Sequence, residues 1–505
     1  MFGDLLVEKK VRVIVAGGGT AGWLSAYSLA KRMGNMLEIT LVESEQIGTV
    51  GVGEATIPTM RRFHQFFGVD EQEFMRETQA TFKLGIRFAN WRKPGESYFH
   101  SFGDIGQSTW MAEFHQYWME AQANGFGGSL DDYCLELKAA EKNKFAVKVG
   151  ETPLSYAFHL DATAYAKYLR KKSEILGVKR VEGKINKINI DPETGNIKSL
   201  DLDHDRNISA DFFLDCTGFR SLLLGDSLDV EFEDWSHWIC SDRALAVQTE
   251  SIEPPKPLTT STAHPIGWQW HIPLQTRTGN GIVFSSRFCS EDEALNTLLA
   301  NVKGNTTTEP RLIKFKTGRR VNPWQKNCVG IGLASGFIEP LESTSIHLIN
   351  TSLVRLMNLF PFSGEMKSST ERFNRETRLE WEAVRDFIIL HYKQTERDDS
   401  EFWNYYRTMD VPDTLAHRLE IFKESGYVWQ DEVNLFRSHS WVQVMLGQGL
   451  IPDYHHRAGC MLPPKELKQQ LDIISSSVNQ NLAKLPSHND FVNQYCPAVQ
   501  LTSTQ

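Results

Sequence analysis

Paired cysteine chemistry is missing from this sequence. Its seven cysteines (Cys134, Cys216, Cys240, Cys289, Cys328, Cys460 and Cys496) are scattered and never stand as Cys-x-x-Cys. A disulfide framework or a zinc site needs clustered or paired spacing, so free thiols and no metal site are expected. Basic charge is also short: 54 Lys and Arg against 63 Asp and Glu leave a net charge of −9. That excludes a general nucleic-acid binder, which carries a basic footprint. No uninterrupted apolar run reaches about 18 residues, the length of a membrane span. Met1 to Val15 holds no basic segment followed by an apolar signal core. Together these absences predict a cytoplasmic protein with neither a nucleic-acid nor a membrane partner. Aromatic residues, by contrast, are plentiful: 29 Phe, 13 Tyr and 13 Trp make up 11% of 505 residues. Such a supply serves a core and can also line a pocket.

The clearest local pattern opens the chain. Residues 11–16 (VRVIVA) read as a short buried strand, followed by Gly17-Gly18-Gly19-Thr20-Ala21-Gly22, a helix-like stretch, and a second strand, LEITLVES, ending near Glu43. A βαβ unit with Gly-x-Gly-x-x-Gly in its first turn is a dinucleotide fingerprint. Gly17 and Gly19 let the backbone approach a pyrophosphate, Gly22 lets the helix pack closely, and Thr20 and Ala21 open the helix whose N-terminus faces the phosphates. Glu43 is placed to accept hydrogen bonds from ribose hydroxyls. Three later glycine turns favour FAD over NAD, because an extended cofactor touches several separated loops. They are GVGEATIP (Gly51–Pro58, with Gly53, Glu54 and Ala55), DCTGFRS (Asp215–Ser221) and IGLASGF (Ile331–Phe337, with Leu333). The stretch from about 343 to 440 is helix-like in its apolar spacing, and the last 25 residues are polar and read as a loose tail.

Three further segments bear on chemistry: Phe82-Lys83-Leu84-Gly85, Gly267-Trp268-Gln269-Trp270-His271-Ile272-Pro273 and Glu339-Pro340-Leu341-Glu342-Ser343-Thr344-Ser345-Ile346. Taken singly, each has a plain reading. Trp268 and Trp270 share one face of a strand and suit a core, Lys83 suits a snorkelling surface lysine, and Glu342 suits a helix-start acid. In this order, with the dinucleotide motifs, they resemble the flavin-dependent halogenases, the tryptophan halogenase-like branch of the single-component flavin monooxygenase fold.

The resemblance implies an α/β fold: a Rossmann-type FAD-binding domain with a mainly helical substrate-binding cap. The expected body spans residues 10–350, with substrate-contacting insertions near 60–170 and 230–300. A helical region over 351–480 and a loose polar tail over 481–505 follow. It implies an enzyme that uses reduced FAD from a separate flavin reductase, O2 and halide to make hypohalous acid. Lys83 and Glu342 are then the catalytic pair, and Ile346 joins the cofactor contacts. The backbone amides of Thr344 and Ser345 hold halide, with Ser345 standing where the family usually has glycine. Trp268 and Trp270 shield the flavin, while His100, Phe102 and Ser343 contact a small aromatic substrate. Trp441-Val442 replaces the paired tyrosines of the tryptophan-specific enzymes, which points to indole or another electron-rich aromatic, with bromide or chloride as the halide. A homodimer is expected at family level only. An aromatic hydroxylase and a non-catalytic flavin-binding homologue remain as alternatives.

Overall fold

The structure is a computed structural model that describes residues 9–47, 53–364, 367–431 and 435–498. Gly51 and Val52 of the second glycine turn, and residues 499–505 of the expected tail, lie outside the described residues.

Strand β1 (Val11–Ala16) runs into helix α1 (Thr20–Met33) and strand β2 (Leu37–Glu43). β1 lies between β2 and Phe212–Asp215, with Lys179–Glu182 beyond β2 and Cys328–Gly330 beyond Phe212–Asp215. These five strands are parallel, and Trp324–Gln325 closes the sheet antiparallel. A parallel sheet is covered on both faces, which is why β1 ends in a continuous buried apolar run, residues 13–16, and does not alternate there. Lys31 and Arg32 in the last turn of α1 face its carbonyl end, where positive charge is favoured.

Two other sheets carry the chemistry. A seven-stranded sheet runs in the order Arg311–Lys314, Arg243–Glu250, Arg277–Phe284, Gly267–Pro273, Thr259–His264, Gly85–Ala89 and Ser97–Ser101. It therefore puts the tryptophan segment and the His100 strand in one layer. In a three-stranded sheet, Ala157–Asp161 has Gly53–Ala55 on one side and Thr81–Lys83 on the other, with Ala55 opposite His159 and Lys83 opposite Ala157. That strand ties the second glycine turn to Lys83.

Helices dominate from Ser345 onward. Ser345–Asn358 is followed by the 27-residue Lys367–Lys393, about 40 Å long at 1.5 Å per residue. The shorter helices Glu401–Thr408, Asp413–Ser425 and Ser438–Gly447 come next. Among the described residues no helix is long and apolar enough to cross a membrane.

The expected loose tail is corrected by the structure. Residues 481–484 finish the helix Pro464–Lys484, and His488–Tyr495 forms another. Ser487 caps the second helix, its Oγ accepting from the Asp490 amide at 3.1 Å. His488, Val492 and Cys496 are buried. The polar composition hid a short amphipathic face: Phe491 and Tyr495 pack on Phe82.

Candidate active site

A cavity of about 920 Å³ opens along the carboxyl ends of the parallel strands, where α/β folds bind nucleotides. Its wall includes Gly17, Gly19, Thr20, Ala21, Glu43, Gly53, Glu54, Ala55, Leu333 and Ile346, with Trp268, Trp270, Ser343 and Ser345. The backbone fits a dinucleotide for steric reasons. Gly17 has φ +117°, and a Cβ there would lie 2.2 Å from the Cys216 carbonyl oxygen. A Cβ on Gly19 would meet nothing within 4 Å, so space stands open above its peptide. Gly22 stands behind the wall, where a Cβ would lie 1.8 Å from the Gly17 oxygen. Its part is packing, not contact. Glu43 is held at the end of β2 by Arg180, Nε to Oε1 at 2.5 Å, and by Trp23, whose indole N–H donates to Oε2 at 3.2 Å. Lys167, Arg170, Lys184 and Arg220 also line this cavity, a cationic rim suited to phosphates. Burial pushes the Glu54 carboxyl up to about 7. Among the described residues no group of three His, Cys, Asp or Glu is placed to hold a metal.

At the other end of the cavity the Glu339–Ile346 segment makes a tight corner. Ser343 adopts the left-handed conformation, φ 59°, which few residues other than glycine enter readily. Thr344 caps the 14-residue helix that Ser345 begins. The free amides of that first turn and the helix dipole favour an anion. The Thr344 hydroxyl oxygen is buried without a hydrogen-bond partner. An unsatisfied donor at a helix N-terminus suits a halide.

Lys83, Glu342, His100 and Phe102 are not part of the cavity wall. They meet behind it. Lys83 is fully buried, and its ammonium donates to the Ser343 hydroxyl at 2.8 Å and to the Thr56 carbonyl at 3.1 Å. It stands 5.2 Å from the centroid of the Phe102 ring. Burial lowers its pKa to about 7, against a smaller upward pull from Glu342. Glu342, also fully buried, faces two histidines: His100 Nδ1 at 2.8 Å and His391 Nε2 at 2.9 Å. Burial alone would raise its carboxyl, but the histidines outweigh it and hold it at about 2. Lys83 and Glu342 therefore do not form a direct ion pair. Ser343, expected as a substrate contact, is the hydrogen-bond partner of Lys83 and belongs to the cavity wall. His100 spends its Nδ1 edge on Glu342 and sets its ring edge-on to Phe102, with centroids 6.3 Å apart.

The tryptophan segment forms part of the cavity wall. Trp268 donates its indole N–H to Glu339 at 3.0 Å, and Tyr392 bonds the same oxygen. Burial pushes the Glu339 carboxyl up to about 7, despite those donors. Trp270 lies against Gly281, where a Cβ would come within 2.1 Å of the indole ring. Trp441 packs edge-on to Phe387 at 4.9 Å and beneath the Arg418 guanidinium at 4.3 Å.

Sequence reasoning missed His391, Tyr98 and Glu339. A period-two reading of Tyr98, His100 and Phe102 would have put Tyr98 on the face of His100. His391 was detectable only as one polar residue in the apolar run FIILHY.

A model of the tryptophan halogenase family matches residues 12–464. The tryptophan 7-halogenase RebH of Lentzea aerocolonigenes is 32% identical over 524 aligned residues, covering 96% of this chain and 98% of RebH. Among solved structures, the flavin-dependent halogenase Xcc4156 from Xanthomonas campestris superposes with a TM-score of 0.95 at 48% identity, covering 97% of this chain and 99% of that one. BrvH, a flavin-dependent halogenase from Brevundimonas sp. BAL3, gives a TM-score of 0.92 at 41% identity, covering 97% and 100%. With a nucleotide cavity in front, a buried lysine and glutamate behind, and these matches over nearly its whole length, the chain belongs to the tryptophan halogenase family and is a flavin-dependent halogenase.

Proposed function

We propose that this enzyme halogenates indole or a similar electron-rich aromatic, with Lys83 and Glu342 as the catalytic residues and bromide or chloride held at the amides of Thr344 and Ser345. The observation that carries the reading is the placement of Lys83. It is buried outside the cofactor cavity yet bonded to Ser343, which belongs to that cavity's wall. Reduced FAD, delivered by a separate reductase, supplies the electrons with which O2 oxidises halide to hypohalous acid. Support for external delivery is the single dinucleotide motif in the sequence.

The remaining steps belong to this chain's side chains. Trp268 and Trp270 keep the organic substrate from the cofactor side. Thr56 and Ser343 take two of the three N–H bonds of the Lys83 ammonium, and the third is free to hydrogen-bond hypohalous acid. An aromatic ring lying along Phe102 and the His100 edge presents a carbon to that electrophile. Glu342, kept ionised by its histidines, accepts the proton that the substituted carbon must lose. Trp441, buried where paired tyrosines would grip an amino-acid backbone, supports indole over free tryptophan.

The test uses purified protein, a flavin reductase, NADH, FAD, bromide and indole. Bromoindole should form only with bromide present, and Lys83→Ala should abolish it while FAD still binds. Hydroxyindole made without halide would favour the hydroxylase reading. Bromoindole surviving Lys83→Ala would overturn the role of that lysine.

A further inference from the structure

The second histidine at Glu342 has no part in the steps above. His391 is fully buried near the end of the helix Lys367–Lys393, its ring stacked on Phe88 at 4.4 Å and edge-on to Phe387 at 5.3 Å. An imidazole in such surroundings is costly unless its nitrogens find partners. Its Nδ1 lies 2.7 Å from the Tyr98 hydroxyl, and its Nε2 lies 2.9 Å from Glu342 Oε1, off the in-line direction. The Gln448 side-chain amide donates to the Tyr98 hydroxyl at 3.2 Å and to the His391 carbonyl at 2.6 Å.

One proton assignment satisfies this chain of groups. The amide nitrogen of Gln448 can only donate, so the Tyr98 oxygen accepts there. The phenol then spends its own proton on His391 Nδ1. That leaves the imidazole neutral, with its remaining proton on Nε2, facing the carboxylate. The opposite tautomer would set a nitrogen lone pair against Glu342.

We infer that His391 and Tyr98 are positioning residues for the halogenation step: Gln448 and Tyr98 fix His391 in the tautomer that holds Glu342 ionised and in place. The inference rests on the proposed role of Glu342. When the C–H bond of the substituted carbon breaks, its electron pair restores the aromatic ring and its proton goes to a Glu342 oxygen. His391 keeps its proton throughout. It is a fixed donor, not a relay.

The surroundings make this donor matter. Glu342 is faced by His100 from the strand Ser97–Ser101, by His391 from the long helix, and by the Lys83 ammonium from the strand Thr81–Lys83. His391 is faced by Tyr98, Glu342 and, more distantly, His100. Burial lowers the His391 pKa, partly offset by Glu342, a direction that favours the neutral ring. Beyond His100 the next titratable group is His439, with Asp104 and Arg437 beside it.

The experiment measures kcat and KM for indole bromination against pH in His391→Leu, His391→Gln, Tyr98→Phe and Glu342→Gln, with FAD affinity and thermal unfolding in parallel. His391→Leu should lower kcat by about threefold to tenfold, since a short off-line contact to a carboxylate is worth less than an in-line charge-assisted hydrogen bond, with KM and FAD affinity little changed. Its acid limb should move to higher pH, because Glu342 has lost a donor. His391→Gln, whose amide can still donate, should recover most of the rate and return the acid limb. Tyr98→Phe should release the tautomer, seen as mixed Nδ1 and Nε2 protonation of His391 in 15N-histidine spectra. Equal losses in His391→Leu and His391→Gln, or a loss with an unmoved acid limb, would mean a merely structural histidine and overturn the inference. Glu342→Gln separates the two readings. If it retains the wild-type rate, the role of Glu342 fails and this inference with it. If it is inactive while His391→Leu is unaffected, only the inference fails.

Discussion

Lys83 is the residue on which sequence and physics pull in different directions. A lysine among apolar neighbours ordinarily snorkels to water, but here strand pairing and the Ser343 corner hold it fully buried. The cost appears in its pKa, which burial lowers from 10.5 to about 7. Between those values the unfolded chain holds a proton that the folded chain has released, so stability rises with pH through that window. The whole penalty stands below about 7. Lys83→Met should therefore compare best with wild type in thermal unfolding near pH 6, and its advantage should shrink near pH 10. An unchanged difference across that range would show that the ammonium is better solvated than its burial indicates. Lys83 and Glu342 could be named as candidates from the sequence because each sits in a contiguous motif. His391 and Tyr98 could not: the contacts of His391 with Glu342 and with Tyr98 exist only where a helix and a strand distant in sequence meet, and neither stretch has a local pattern marking a charge partner.

At the scale of elements, short pieces hold the strand that carries Lys83. The helix His488–Tyr495 lies against Thr81–Lys83: the Phe82 amide donates to His488 Nε2 at 3.3 Å, and His488 Nδ1 lies 2.7 Å from the Pro255 carbonyl. Burial lowers the pKa of His488 to about 4, so it stays neutral and keeps an acceptor for that amide. A chain ending after Leu485 should unfold several degrees lower and lose indole bromination more than it loses FAD affinity, since the cavity is walled by other segments. Equal loss of both would place the helix in general stability. Composition concealed this element. The βαβ opening was legible because glycine spacing and an apolar strand are local features, whereas the docking of a Ser- and Asn-rich segment depends on what it meets.

For the whole molecule, the arrangement is one large cavity and one buried polar cluster with a shared corner. The cavity and the Lys83 cluster are separate, and Ser343 belongs to both. Filling that corner should uncouple them: Ser343→Leu should leave halide oxidation running while indole bromination falls about tenfold or more, the oxidised halide escaping to a solution trap such as monochlorodimedone. Retained bromination with no leak would show another route between the cavity and the Lys83 cluster. Family membership was legible from the order of motifs, but the burial of Lys83 outside the cavity was not, because it follows from strands and a corner distant in sequence packing together.

That wall has an optical consequence. Indoles emit in the near ultraviolet, where oxidised flavin absorbs, and four of them (Trp23, Trp268, Trp270 and Trp381) line the cavity expected to receive FAD. Trp91 lies 6.3 Å beyond Trp268, ring centre to ring centre. Energy absorbed by this cluster has a short path to a bound flavin, so the protein's own ultraviolet emission should dim as the cavity fills and recover as it empties, a label-free gauge of occupancy built into the shield.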